Sequence, residues 1–395
     1  MGAVLITLFL TGGSLLGWLV VREIVKKNIL IWLGSYLFPH SQASKPGEPV
    51  HILFAFCDHF EPQWGNATPE IEDSRVDRWC AEYPRLARKH RDADGCFPKH
   101  SFFYPSEEYR PRHLEKLVKM CAAGFGEIEI HLHHDNDTAA GLRKNLYDFL
   151  NTLDEKHGAI ARDPATNALK FAFIHGNWAL DNSRKDGRWC GVNNELKVLA
   201  EAGCYADFTL PSAPSDTQTK KINSIYYASG KEDQAKSHND GIDVEAGKAE
   251  SGDLMIIQGP LTLNWSNRKF GIFPRIENSD IRTNSPPTKK RVDLWVRTGI
   301  KVKKQDQWLF IKIHTHGAQE EDMDILLGSP MDKMFDYLED EYNDGTNYIL
   351  HYVSAREMYN IVKAAEAGKK GDPDRYRDYK VPKPSLLNKA GIEPL

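Results

Sequence analysis

Seven of the fifteen histidines stand at the ends of short apolar runs. His59 follows HILFAFCD; His131, His133 and His134 fall in EIEIHLHHD; His175 ends KFAFIH; His314 and His316 end WLFIKIHTH. Imidazole is the commonest metal ligand and the usual proton carrier near neutral pH. Such runs read as strands buried on both faces. Four strands that deliver histidines to their C-terminal ends predict one convergent site, because a β/α barrel builds its active site at that end. Successive strand side chains alternate, so His131 and His133 share a face at roughly 7 Å, a spacing that suits one divalent cation. His59, His131, His133, His134 and Asp135 are the candidate metal ligands. Glu129, on the same face, is a candidate to orient one of the imidazoles. Asp58 is the candidate base, and His314 or His316 the candidate acid. His175, Asn177 and Trp178 after one strand, with Tyr104 at the end of another, are candidate substrate contacts; Trp178 offers a flat face for a sugar ring.

The elements that must position these residues alternate strand and helix from Val50 onward. Helical patterns over 69–91, 110–124 and 138–158 separate the strands, two of them closed by glycine. About eight strand candidates predict an α/β fold, a distorted (β/α) barrel of seven to eight strands spanning 50–365. Residues 214–253 are polar and read as an insertion, 278–291 as a loop, and 366–395 as a proline-rich charged tail. The six cysteines form no C-x-x-C pair, and a chain of this size needs no disulfide staples; free thiols are expected.

The net charge of -4 gives no global basic field, so nucleic acid is not an expected partner. No G-x-S-x-G elbow, Walker loop or G-x-G-x-x-G fingerprint is present, which argues against a serine hydrolase, a P-loop enzyme and a dinucleotide oxidoreductase. Ala3 to Val21 is uncharged and apolar, long enough as a helix for about 28 Å of bilayer. No basic residue precedes it, and Arg22, Lys26 and Lys27 follow, so residues 1–27 read as a retained membrane anchor with the main domain on the cytoplasmic side. Residues 28–49 read as an interfacial segment and linker, with Trp32 and Tyr36 at headgroup depth.

The order of these motifs resembles that of the polysaccharide deacetylases, the carbohydrate esterase family 4 group. FAFCDHFEP is similar to that family's first motif, EIEIHLHHD to its second and IKIHTHG to its last; IHGNW stands where the third motif falls. The resemblance implies a distorted barrel, one divalent metal (zinc foremost), an Asp base and a late-strand His acid. It implies removal of acetyl groups from N- or O-acetylated glycans. The likeness is incomplete. One Asp stands where the family carries two, Asp135 falls four residues after His131 where a second His is usual, and the third motif's Arg is missing. Two alternatives follow: a glycoside hydrolase on a similar barrel, resembling the family 57 group, with Asp58 and either Asp207 or Glu61 as its carboxylates; or a membrane-tethered protein that binds glycan without turnover.

Overall fold

The computed structural model describes residues 17, 18, 20–38 and 47–386. Its centre is a mixed, mostly parallel sheet. The strands are β1 (Val50–His59), β2 (His100–Pro105), β3 (Gly126–Leu132), β4 (Leu169–His175), β5 (Cys204–Asp207), β6 (Leu254–Ile257), β7 (Trp308–Thr315) and β8 (Tyr348–Val353). Seven lie in the order β7-β1-β2-β3-β4-β5-β6, all pairs parallel. β1 is shared on one edge: β8 pairs with Val50–Ala55 and β2 with Phe56–His59.

Alternation along β1 builds two cores. Ile52, Phe54 and Phe56 pack outward with Trp79, Leu117 and Leu150 from the helices, while Leu53, Ala55 and Cys57 pack inward with Phe103, Ile174 and Phe310. The helices form where the sequence signals place them. Thr138 caps Ala139–His157 by accepting from the Gly141 amide, and Gly158, at φ 58°, ends it. Ser354 and Glu357 form a capping box that starts Ala355–Glu366.

Among the described residues no strand pairing joins β6 to β7, so the sheet is not closed by strand pairing. The segment 279–281 covers that edge instead: the His314 amide donates to Ser279 O at 3.0 Å, and the Ile281 amide to His314 O at 2.9 Å. Gly259 lies so close to β7 that a Cβ there would meet Lys312 O at 2.3 Å, which only glycine permits.

Three peripheral segments take defined form. The polar insertion is part of the sheet, since its strands Ile225–Ala228 and Ile242–Asp243 extend β6 in antiparallel fashion. The charged tail is tied down as far as Leu386: Arg377 pairs with Asp94, Glu357 and Asp374, and Val381 is buried. In residues 28–38 the placement of Trp32 at headgroup depth is corrected. They form a helix, Ile29–Leu37, whose Trp32 is fully buried against Ala213, Ile222 and Leu261. Asn28 Nδ2 donates to Pro214 O at 2.9 Å and the Ser35 hydroxyl to Lys220 O at 2.7 Å, so the Trp32 face docks on the domain. Most of the run Ala3–Val21 lies outside the described residues. Among those described, no helix is long and apolar enough to cross a membrane. All six cysteines are free thiols.

Candidate metal centre and cleft

The C-terminal ends of β1, β3 and β7 bring His59, His131, His314 and His316 together. The His59 ring lies 4.9 Å from that of His131, 4.6 Å from that of His316, against which it stacks, and 6.3 Å from that of His314. Glu61, two residues past β1, completes a tight group. One ligand atom from each of His59, Glu61 and His131 lies within 4.8 Å of the others, and all three residues are buried.

The donors are set up as ligands. His131 donates its Nδ1–H to Ile174 O at 2.8 Å, which leaves the Nε2 lone pair facing Glu61 Oε1 at 3.1 Å. An imidazole tied to a backbone carbonyl on one side and open on the other is the usual arrangement of a metal-bound histidine. His59 Nε2 and Glu61 Oε2 are buried without a hydrogen-bond partner, an expensive state unless a cation completes them. Burial keeps His59 neutral, reinforced by the neighbouring His316 and His131, and a neutral ring is the ligating form. Glu61 is buried, which opposes its charge, yet the His131 and His133 rings beside it hold it well below the carboxylate range. These residues fit a divalent ion with nitrogen and oxygen donors.

Not every predicted ligand joins them. His133 sits between two carboxylates, with Nδ1 2.5 Å from Glu107 and Nε2 3.3 Å from Glu61. Burial would lower its pKa, but these partners raise it to about 10, so it stands as an imidazolium. His134 turns the other way, toward Glu195 at 3.0 Å, in company with His175. Asp135 is exposed and accepts from the Trp189 amide at 2.6 Å. Glu129 reaches no histidine: it takes the Tyr205 hydroxyl and the Ala172 amide deeper in the interior, and burial raises its pKa to about 8.

The base and acid assignments are corrected as well. Asp58 is adjacent to His59 and therefore faces the opposite side of β1. There its Oδ1 accepts from the Gly317 amide at 2.6 Å and its Oδ2 contacts His100 Nε2 at 2.8 Å, both fully buried. It holds the layers together and has no free oxygen for substrate. The acid role expected of His314 requires a protonated ring, which a carboxylate neighbour would favour. Asp280 is 4.0 Å away, but burial and the cations Lys312, Arg282 and Arg291 keep His314 neutral. His316 is likewise drawn to about 3 by burial, and it accepts from Arg282.

A cleft of about 400 Å³ opens beside the cluster, lined by Trp178, Ser212, Asn278, Asp280, Arg282 and His314. The Trp178 ring is 6.0 Å from His59 and 5.7 Å from His316. Trp178 and Asn177 are half-buried on the loop after β4, both at φ 55°, a strained conformation for a bulky side chain such as Trp. Asp280 ion-pairs with Arg282 at 2.9 Å, yet burial outweighs Arg282 and Arg291 and raises its carboxyl to about 6. Tyr104 does not reach the cleft; it packs in the outer layer and donates its hydroxyl to Glu108 O at 2.9 Å. Sequence reasoning missed Asp280 and Arg282, which lie in a segment with no periodicity to mark it.

No family model matches the sequence, and no curated protein matches it. Among solved structures, the chain is similar to one from Mycobacterium smegmatis described as "putative polysaccharide deacetylase", at 14% identity and a TM-score of 0.40, over 84% of this chain and 95% of that one. It is also similar to a 4-alpha-glucanotransferase from Thermococcus litoralis, at 10% identity and a TM-score of 0.39, over 77% of this chain and 40% of that one.

Proposed function

We propose that this chain is a metal-dependent hydrolase that removes acyl groups, acetyl foremost, from N- or O-acetylated glycans. The observation that carries the reading is the convergence of His59, Glu61 and His131 beside a cleft walled by an indole face. These three residues would hold the divalent ion, zinc foremost; when bound, it supplies Lewis acidity toward a carbonyl oxygen. Trp178 provides the stacking platform for a sugar ring. Arg282 offers a cationic donor at the cleft wall, where negative charge on an acyl oxygen would develop. Asp280, with its pKa raised toward neutrality, is the group best matched to move a proton at working pH. The glycosidase alternative gains nothing from the geometry: Asp58 is saturated, and Asp207 is buried with Thr209 donating to both its oxygens.

The test is acetate release from acetylated oligosaccharides by the full chain, before and after metal removal. Release that needs the metal, and that is lost in His131→Ala, is expected. Reducing sugar released without acetate would overturn the reading. Residues 1–27 are proposed as the membrane anchor, with the domain on the cytoplasmic side; membrane fractionation followed by protease protection checks both.

A further inference from the structure

A second buried group lies at the ends of β3 and β4, built from residues the hydrolase reading does not use. His134, His175, Cys190 and Glu195 each present one ligand atom within 4.8 Å of the others, and the last three residues are fully buried. Two imidazoles address one carboxylate oxygen: His134 Nε2 is 3.0 Å and His175 Nε2 3.4 Å from Glu195 Oε1. His175 Nδ1 donates to Gly176 O at 2.5 Å, so its Nε2 carries the lone pair and has no hydrogen-bond partner. A lone pair turned toward a carboxylate oxygen in a buried site is repulsive unless a cation stands between them.

The surroundings supply what a metal needs. His134 Nδ1 faces Asp137 at 3.2 Å, a carboxylate behind a ligating imidazole. The backbone amides of Asn182 and Val192 both donate to Cys190 Sγ, at 3.3 and 3.4 Å; burial and the Glu195 carboxylate, 3.4 Å away, raise the thiol's pKa, so it keeps its proton until a cation displaces it. The Asp181 amide takes Glu195 Oε2 and fixes the carboxylate.

We propose that His134, His175, Cys190 and Glu195 form a zinc site, separate from the catalytic group and structural in character. One thiolate with two imidazoles and a carboxylate selects a borderline metal over magnesium or calcium. Four protein donors leave no open position, the mark of a structural ion. Binding displaces the Cys190 thiol proton, which passes to solvent, and the S–Zn bond takes its place. The ion clamps the ends of β3 and β4 to the 190–195 segment and so anchors the loop that carries Trp178.

Cobalt replaces zinc in such sites and reports thiolate coordination through a charge-transfer absorption. The full chain loaded with cobalt should show that band, and zinc X-ray absorption should show a sulfur neighbour at about 2.3 Å. His59→Ala, which removes the other group, should keep the band. Cys190→Ser should abolish it and lower bound metal by one equivalent. Failure of the wild-type chain to bind cobalt, binding without a thiolate band or sulfur neighbour, or a band that survives Cys190→Ser would each overturn the proposal. The two wild-type spectra decide it even where a variant does not fold.

Discussion

His131 Nε2 and Glu61 Oε1 meet at 3.1 Å across 70 residues of chain, one from β3 and one from the turn after β1. Both are buried, and the Nδ1–H of His131 is already committed to Ile174 O. The pair is thus aimed at a third charge. Glu61→Gln keeps the shape and removes the charge, so divalent-metal affinity should fall by at least the 10–100-fold typical of weaker, outer-sphere changes. Metal titration by calorimetry checks this. Unchanged affinity would remove Glu61 from the ligand set.

The pH profile should turn on Asp280. Its pKa is raised to about 6 by burial, against the pull of Arg282 and Arg291; Asp322 and His314 are its other titratable neighbours. As a base it must be ionised, so activity should fall as pH drops through about 6. The sign for stability is the reverse. A carboxyl whose pKa is raised by folding favours its protonated form in the fold, so its contribution to stability improves below that pH. Asp280→Asn should flatten the acidic limb and slow turnover by roughly two to four orders of magnitude. His314 is held neutral and should contribute no alkaline limb above neutrality, contrary to the acid role first expected of it. Rate profiles of wild type, Asp280→Asn and His314→Ala separate these outcomes.

Asp58 gives a contrasting case. Its two oxygens serve the Gly317 amide and His100 in a fully buried setting. Asp58→Ala strands both partners and should cost about 3–5 kcal/mol of stability, the usual consequence of breaking a buried pair. Asp58→Asn can still accept from the Gly317 amide and should cost less, with turnover per folded molecule within about tenfold of wild type. Denaturant melts paired with turnover measurements would show it. A loss of several orders of magnitude in turnover at unchanged stability would restore Asp58 as the base.

Period and alternation made most of this fold legible. The histidine strands run where their apolar stretches ended, and the glycine stop at Gly158 and cap at Thr138 fall as written. The same alternation places Asp58 and His59 on opposite faces, so the misassignment of Asp58 came from weighing its chemistry above its pleat. Glu61, Cys190, Glu195 and Asp280 were harder. They sit in turns, a short helix and an edge-covering loop, whose positions are fixed by tertiary packing and leave no periodic trace in sequence. Trp32 misled for a related reason, because an apolar helix face looks the same whether its cover is lipid or protein.

That helix supports the last prediction. Trp32 is fully buried in a pocket of Ala213, Ile222 and Leu261, and Ile29 packs beside it. Trp32→Ala should cost about 3–5 kcal/mol, the range for deleting a buried Trp. A chain shortened to begin at residue 43 would lose Trp32 together with the Asn28 and Ser35 bonds, and should melt at a markedly lower temperature than one that begins at residue 28. Ala213 lies between Ser212 and Pro214 in the cleft wall, so the shorter chain should also bind oligosaccharide more weakly. Calorimetric melts of the two chains decide the matter. Equal midpoints would mean that the Ile29–Leu37 helix adds nothing to the fold and is free to leave it.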